Sequence, residues 1–537
     1  MNSDNYLKLL PASLKRVHKR LMNCKVPAKL VFVLISVLAS VWFLIRVIPK
    51  PSRATYPCMQ AAAPFVAGLF LWLTSVSALW IILRKANQFI HKAKYVIAVF
   101  LILISAVVIV IPFSANPLKA RADVKPWFTP NNPVGIARGI NPGRVAWGHN
   151  PDACIWNGKG SWYRDANTLQ SEIDNLLNLT LKSLTGSAST SDTWDALFHD
   201  FNATKHHQTR GYQSGDKIAI KINQNNATSH GNTDDLNASP QLVFSLLKTL
   251  VNYGVPQNDI TVFDASKYIT DNIYDKCHYW FPDVHFVDKT GGNGREAATY
   301  KSNAIVYSGN VMEKDVYGNS NPCSRDLATC VIEARYLINF ALLKGHDGSG
   351  VTLNAKNMYG TLKLNSPWML NSHSNFYQNQ SGVPKYTPFV DWMTHKNMGE
   401  KTVLFLLDAL YASPVVGGGI IEKWDMAPFN HHWPSSLFAS QDGIAIESVG
   451  IDFFMANWPD NVDLSHCDMH LSEAAQLRNA PSGTSYDPEG DGQNIISLGV
   501  LEHWNNKTEK KYSRNLNPSA GKGIELVYAL VSDDSGQ

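Results

Sequence analysis

Three long apolar stretches near the start of the chain constrain its fold more than any other feature. Each is long enough to cross a bilayer as a helix, which takes about 20 apolar residues, and they span residues 29–48, 58–83 and 95–115. The first carries Arg46 near its end, where the side chain reaches the headgroups. A signal peptide is a weaker interpretation of this stretch, because its basic lead is long and no small-residue cleavage motif follows. We therefore predict a three-span membrane anchor over residues 29–115.

The charges around these spans predict the orientation of the chain. Residues 1–114 hold 14 Lys and Arg against one acidic residue, whereas the remaining residues hold 34 basic and 43 acidic ones. Lys and Arg are retained in the cytoplasm, and the leader with the second loop carries eleven of them against six in the other two flanking segments. We place residues 1–28 as a basic cytoplasmic leader and residues 123–537 on the periplasmic, extracytoplasmic side of the inner (plasma) membrane. The leader is then a topology signal, so no nucleic-acid partner is expected.

Residues 123–537 alternate short apolar strands with helical patterns, which is typical of an α/β domain with a largely parallel sheet. One crossover is especially clear, from a strand at 216–223 to a second strand at 259–264. The helix between them begins at Ser239-Pro240 and ends at Gly254. The predicted fold is thus three N-terminal transmembrane helices followed by a mostly parallel α/β sheet domain with long loops.

Further elements follow from the same patterns. Strands are predicted at 134–138, 284–287, 304–307, 336–343, 402–407, 437–439 and 524–530, and helices at 165–184, 193–201, 443–455 and 465–477.

Polar residues of catalytic type follow five of the predicted strands. Ligands of open α/β sheets bind beyond the carboxyl ends of the strands, so these residues are candidates for a site. They are Lys221 and Asn223, Asp264 and Ser266, Lys344, His346 and Asp347, Asp408, and Ser440 with Asp442. A single Asp or Ser here is more often a helix cap or turn former. Five such strand ends on one edge nevertheless indicate a site.

The segment 337–360 holds the densest set of these residues. Its buried strand ends in Lys344 and His346, a Gly-rich turn follows, and a short helix then presents Lys356 and Asn357. Glycines let backbone N–H groups approach a ligand, and a helix N-terminus favours an anion. The pattern predicts a pocket for a phosphate or carboxylate. Considered singly, Lys356 is explained equally well as a solvated helix lysine, and His346 is explained equally well as a turn residue.

Residues 133–537 resemble the domain-of-unknown-function family numbered 362, in its branch of exported or membrane-anchored bacterial proteins. The resemblance rests mainly on GIARGINPGRVAWGHNPDA at 135–153, IAIKINQN at 218–225, VFDAS at 262–266, LLKGHDGSGVTLNAKNMYG at 342–360 and FASQDGIAIESVG at 438–450. It implies fold and location but no activity, because the family has none established. Many members carry a ferredoxin-type cluster, whose cysteines this chain lacks. Glu447 stands where the family often has Asp.

A more distant resemblance is to lactate racemases that use a nickel pincer nucleotide, in which a lysine holds the cofactor and histidines flank it. Lys356 matches that lysine, with His346 before it and His373 after it. Asn354-Ala355 replaces the Gly-Gly-Arg that precedes the lysine there, which argues against cofactor attachment. The residues suggest a divalent metal as the cofactor, and they do not identify which metal. The candidate ligands are His346, His373 and Asp408.

Two functions stay open at this point. The first is an enzyme that acts on a small anionic substrate with a metal or acid/base site. Its catalytic candidates are Asp264, Lys344, His346, Lys356 and Asn357, and its substrate- or cofactor-binding candidates are Lys221, Asn223 and Lys356. The second is a non-catalytic envelope binding or scaffold protein, for which the many Trp residues are candidate surface aromatics. The sequence lacks the motifs that are usual for serine hydrolases, nucleotide hydrolases and NAD-dependent enzymes.

Two weaker motifs carry alternatives. His466 and His470 are spaced i, i+4 with Glu473 one turn on, but the Glu that metalloproteases place directly after the first His is absent, which favours a structural or polar-surface role over metal binding. Cys323 and Cys330 could close a short loop, and five scattered thiols fit buried core residues equally well.

Overall fold

The computed structural model describes residue 84 and residues 128–531, apart from residues 315–319, 347–348, 365–382, 416, 420, 460–466 and 493–494. The chain divides into two compact units, Met1–Ala122 and Asp123–Gln537. The leader and the three predicted spans lie outside the described residues. Among the residues that are described, no helix is long and apolar enough to cross a membrane.

The strands of the second unit are short at its margins and long at its centre. They are β1 Val134–Gly135, β2 Arg144–His149, β3 Ile218–Lys221, β4 Ile260–Asp264, β5 His285–Asp288, β6 Glu296–Ala297, β7 Tyr300–Lys301, β8 Met312–Lys314, β9 Ser320–Pro322, β10 Leu327–Ala328, β11 Tyr336–His346, β12 Gly350–Thr352, β13 Thr402–Ser413, β14 Ser436–Ser440, β15 Val500–Leu501 and β16 Glu525–Leu530.

Ten of these strands form one sheet, in the order β16-β2-β14-β13-β11-β3-β4-β5-β6, with β12 paired to β11. The run from β13 through β11 and β3 to β6 is parallel throughout. Strand β14 is antiparallel to both of its neighbours, and β16 is parallel to β2. The prediction of an α/β domain with a mostly parallel central sheet is confirmed.

The helices pack on both faces of this sheet. They are α1 Gln170–Thr185, α2 Thr190–His206, α3 Pro240–Tyr253, α4 Asp271–Trp280, α5 Thr329–Glu333, α6 Asn354–Asn357, α7 Pro388–Thr394, α8 Gly443–Asn457, α9 Met469–Ala475 and α10 Ser513–Leu516. Helix α3 shows how the local sequence sets the boundaries. The Ser239 side chain accepts a hydrogen bond from the Leu242 amide, and Gly254 ends the helix at φ +114°, a conformation that favours glycine.

Two apolar cores result, one on each face of the sheet. Helices α1 to α4 contribute Leu176, Leu197, Leu246 and Ile273 to the first core, and α7 and α8 contribute Trp392, Val449 and Phe453 to the second. The central strands β11 and β13 are buried along their whole length, as expected of parallel strands covered on both faces. The central strands are therefore rigid supports for the residues at their ends.

Two expectations about the strands are wrong. Residues 304–307 form no strand, because the amides of Ala304 and Ile305 both donate to the Arg325 carbonyl instead of a ladder partner. Strand β14 runs antiparallel, so Ser440 lies opposite Phe405, near the start of β13. Ser440 and the Asp442 that follows it therefore lie at the opposite edge from the other predicted site residues.

Candidate functional site

The candidate site lies where the direction of the strand order reverses. From β3 the chain proceeds to β4 and β5 on one side, and it later returns to β11 and β13 on the other. Such a switch point opens a crevice beyond the carboxyl ends of the strands. Lys221 ends β3, Asp264 ends β4 and His346 ends β11. Lys221 and Asp264 thus share one edge, whereas β11 continues seven residues past Asn339, the residue opposite Lys221, before it ends at His346.

Lys221 and Asp264 form a buried ion pair at this edge. The Lys221 Nζ lies 3.1 Å from Asp264 Oδ2, and the two side chains are 1% and 4% exposed. The same ammonium donates to the Ile222 carbonyl at 2.6 Å and to Asn357 Oδ1 at 3.3 Å. Burial lowers the pKa of Lys221, and the Asp264 carboxylate opposes that shift. Asn223 donates to the same Asn357 oxygen at 3.3 Å, so four predicted residues form one network.

The Asp264 carboxylate is fixed by further hydrogen bonds. Its Oδ1 accepts from the amide and the hydroxyl of Ser266 at 3.2 and 3.0 Å, and its Oδ2 accepts from the Gln224 amide at 3.1 Å. Gly360 packs directly on the pair, since a Cβ there would lie 2.6 Å from Lys221 Nζ and 2.8 Å from Asp264 Oδ1. Only glycine therefore allows this close approach.

Asn339 ties helix α6 to the central strand. It lies in the middle of β11 and is completely buried. Its Nδ2 donates to the Asn354 carbonyl at 2.9 Å, and its Oδ1 accepts from Asn357 Nδ2 at 2.8 Å. Both ends of the short helix that carries Lys356 are thus held by one side chain.

Glu447 of α8 holds the same helix from the opposite side. One carboxylate oxygen accepts from the Ala355 amide, and the other lies 2.7 Å from His470 Nε2. Glu447 and His470 are 1% and 3% exposed. A buried carboxylate with a buried partner on each oxygen is an effective anchor. His470 therefore has a structural role, as its sequence context favoured, and its predicted companion His466 lies outside the described residues.

Three more lysines surround this network. Lys344 is fully buried, and its Nζ has no hydrogen-bond partner among the described residues. Burial, followed by the ammonium groups of Lys356 and Lys267, lowers the pKa of Lys344 to about 7. Burial, followed by Lys267 and Lys221, likewise lowers the pKa of Lys356 to about 7. Burial lowers the pKa of Lys267 to about 8.

Lys267 and Lys356, but not Lys344, line a small pocket of about 30 Å³ beside this network. It is lined by Lys221, Asn223, Asn225, Asp264, Ser266, Lys267, Thr352, Lys356, Asn357, Tyr359 and Gly360. The lining offers ammonium, amide and hydroxyl donors and one carboxylate. The arrangement is suited to binding an anion.

The residues predicted to hold a metal are not assembled in the described part of the chain. The His346 Nδ1 accepts from the Ser349 amide at 3.3 Å. Asp408 lies within β13, where it accepts from the amides of Ser239 and Leu410 at 3.0 and 3.1 Å, and burial raises its pKa to about 7. His373 lies outside the described residues. Among those described, no group of three or more His, Cys, Asp or Glu is placed to hold a metal ion, and the metal set stays a prediction.

Most of the aromatic residues considered for a binding surface belong to the core. Within the described chain, the buried ones are Trp147, Trp162, Trp194, Trp392, Trp424, Trp433 and Trp504. Trp280 is 63% exposed at the end of α4, beside Tyr279 at 79%. No disulfide joins Cys323 to Cys330.

Sequence reasoning missed several residues of this site, and three of them are instructive. Lys267 directly follows the predicted Asp264 to Ser266 segment, and a basic residue so close to a candidate carboxylate was the available signal. Asn339 interrupts an otherwise apolar strand, and a polar residue in such a run is informative because burying it requires partners. Gly360 had no signal of its own, because its role depends on a contact with residues distant in sequence.

Comparison with known proteins agrees with the resemblance seen in the sequence. Residues 218–452 match the family described as Domain of unknown function (DUF362). This chain is similar to that family. The matched stretch covers less than half of the chain, from β3 into α8, and it includes the pocket and Glu447 but not His470. The DUF362 description gives no activity, and no curated protein matches the chain.

Proposed function

We propose that this protein is an enzyme that binds a small anionic substrate in the pocket between β3, β4 and α6. The observation that carries the proposal is the buried lysine cluster, in which Lys344 has no hydrogen-bond partner within the described chain. Burying an unpaired ammonium costs several kcal/mol, and nearby ammonium groups add repulsion. An anion in the pocket, beside Lys267 and Lys356, offsets the repulsion, so the cluster is best explained as a binding site.

We assign anion binding and proton transfer to different residues of the pocket. Lys267 and Lys356 line the pocket and attract the anion, while Asn223 and Asn357 offer polar contacts from fixed positions. Lys356, with a pKa of about 7, exchanges its proton near neutral pH and is the general acid/base. Acid/base chemistry next to a carboxylate is the reaction that this set supports best. Lys344 and His346, near the end of β11, belong to the proposed catalytic set although neither lines the pocket.

We further propose that the domain is tethered to the inner membrane on its extracytoplasmic side, as in the membrane-anchored branch of the family. The support is the three apolar stretches and the basic residues that flank them. Fusion of alkaline phosphatase, which folds actively only outside the cytoplasm, after residue 537 tests the topology. An inactive fusion with an active cytoplasmic reporter at the same point would remove this part of the proposal.

The binding experiment uses the full-length chain purified in detergent. Calorimetric titration with sulfate and with acetate should show saturable binding of at least one anion, and Lys356→Met should weaken that binding at least about tenfold, equal to about 1.4 kcal/mol. The control is Lys522→Met, because Lys522 is exposed on the surface. Equal affinities for the two variants would contradict the assignment of the pocket.

The alternative is a non-catalytic envelope binding protein, and the exposed Tyr279 and Trp280 pair is the observation that favours it. Such a protein would bind the same anion but leave it unchanged. Incubation with a panel of small phosphorylated and carboxylated compounds, followed by NMR, separates the two functions. Turnover that is lost in Lys356→Met supports the enzyme.

A further inference from the structure

A second cavity lies at the opposite edge of the sheet from the candidate site, where β13 begins and β14 ends. Its volume is about 320 Å³, within the range of about 300 to 1,000 Å³ that is usual for the sites of small molecules. Helix α2, the start of β13 and the residues that follow β1 and β14 line it. The cavity is thus large enough for a ligand, and it is separate from the pocket between β3, β4 and α6.

Part of the lining of this cavity is apolar. The apolar side chains are Phe201, Met393, Val403, Phe405 and Leu498. All five belong to the two cores on either side of the sheet, so close packing holds them in place. A ligand with an apolar group gains free energy by burying that group against them.

Two side chains of opposite charge, Asp200 and Lys205, line the same cavity from helix α2. Within the described chain, no hydrogen bond or ion pair joins the two. Lys205 donates to Glu400 instead, and Asp200 accepts from Gln441. The cavity therefore presents a carboxylate and an ammonium that do not pair with each other.

The Asp200 carboxylate is held by a side chain that is itself fixed. Its Oδ2 accepts from Gln441 Nε2 at 2.9 Å, and Gln441 Oε1 accepts from the Ile140 amide at 2.9 Å. Burial raises the pKa of Asp200, and Gln441 and Lys205 oppose that shift. Its Oδ1 accepts no hydrogen bond from the described residues, so this oxygen is available to a donor on a ligand.

The Lys205 ammonium is held in a similar way. It donates to Glu400, whose other oxygen accepts from Arg138 at 2.5 Å, and Arg138 also donates to the Ser497 carbonyl at 2.5 Å. Burial lowers the pKa of Lys205, and the Glu400 carboxylate opposes that shift. An ammonium has three N–H donors, and Lys205 uses one of them within the described chain. The other donors can contact an anionic group.

We propose that this cavity binds a small zwitterion with an apolar side group, the chemical class of the apolar α-amino acids. The ligand's ammonium contacts Asp200, its carboxylate contacts Lys205, and its side group packs on the apolar lining. A simple carboxylate would leave Asp200 without a cationic partner, and a simple amine would leave Lys205 without an anionic one. The inference does not depend on the function proposed for the other pocket.

Four probes test these contacts by calorimetry on the full-length protein in detergent. Isocaproate lacks the ammonium of leucine, isoamylamine lacks the carboxylate, and glycine lacks the apolar side group. Leucine should bind at least about tenfold more tightly than each of the other three. Equally tight binding of isocaproate, isoamylamine or glycine would refute the contact that the missing group makes, and the absence of saturable leucine binding would refute the whole proposal.

A pair of variants ties the selectivity to Asp200. Asp200→Asn keeps an acceptor for Gln441 but loses the charge, so leucine binding should weaken at least about tenfold, equal to about 1.4 kcal/mol. Isocaproate binding should change less, so the ratio between the two affinities falls. The matched control is Asp275→Asn, at an exposed position of α4, which should leave the ratio unchanged. An unchanged ratio in Asp200→Asn, with the protein folded as judged by circular dichroism, would overturn the role of Asp200.

Discussion

Replacing Lys344 with Met should make the protein more stable while weakening anion binding. The pKa of Lys344 falls from 10.5 to about 7 in the folded protein, and each unit corresponds to about 1.36 kcal/mol. Retaining this lysine at pH 7 therefore costs at most roughly 5 kcal/mol. Relaxation of the surroundings reduces that penalty, so we expect a gain of about 2 to 4 kcal/mol in the free energy of unfolding. Met keeps most of the apolar stem and leaves little cavity.

The lowered pKa of Lys344 also predicts how the free energy of unfolding changes with pH. The folded-state pKa lies below the unfolded one, so between about pH 7 and pH 10.5 the unfolded state binds more protons. Stability of the wild type should therefore rise with pH in that window, by up to about 1.4 kcal/mol per unit from this group. The Lys344→Met protein lacks this contribution. Its advantage is largest at pH 7 and shrinks towards pH 10.5.

Urea unfolding followed by tryptophan fluorescence at about pH 7 and pH 9 measures both effects on the full-length chain in detergent. Lys522→Met serves as the control for loss of a surface lysine. A Lys344→Met protein that is less stable than wild type at pH 7, or whose advantage is the same at both pH values, would show that Lys344 is not a buried ammonium that destabilises the fold.

Three further predictions concern the supports of the pocket. Gly360→Ala places a Cβ against Lys221 and should cost about 1 to 3 kcal/mol in stability, the usual range for overpacking, measured by urea unfolding, with a loss of anion affinity measured by calorimetry. Glu447→Ala leaves the Ala355 amide unsatisfied, at a cost of about 1 to 3 kcal/mol in stability, and should weaken sulfate binding. Glu447→Gln retains an acceptor and should therefore lose less stability and less affinity. Equal losses in the two variants would refute the anchoring role. Asn339→Leu should weaken sulfate binding at least about tenfold because α6 loses its tie to β11, and unchanged affinity in the same titration would refute that role.

The crossover from β3 to β4 was predictable because its signals are local. The predicted strand at 216–223 is observed at Ile218–Lys221, and the predicted strand at 259–264 is observed at Ile260–Asp264. The helix between them begins and ends where Ser239 and Gly254 indicated. Capping and turn preferences act within a few residues, so a sequence records them directly.

Strand direction and long-range neighbours were not predictable in the same way. The residues of β14 read as an apolar strand in either direction, and only its pairing with β13 and β2 places Ser440 at the far edge. Strand β2 was missed altogether, because Arg144 and His149 at its ends hide the apolar residues between them.

The residues of the candidate site were likewise predictable where their signals are local and not where they depend on long-range contacts. Lys221, Asp264 and Asn357 were named because each follows a legible strand or turn, and the structure brings them together at one edge. Asn339 and Gly360 act through contacts between segments that are distant in sequence. Such contacts leave no local pattern.

The pairing of β16 with β2 has a consequence for how the domain assembles during synthesis. Strand β2 is made before every other strand of the large sheet and β16 after all of them, yet the two lie side by side with Arg144 opposite Glu525. Until β16 emerges, β2 presents an unpaired edge, which is a template for pairing with other chains. Closing contacts between such distant segments is slow. The edge of β2 should therefore stay open to such pairing until the last strand of the sheet has been made.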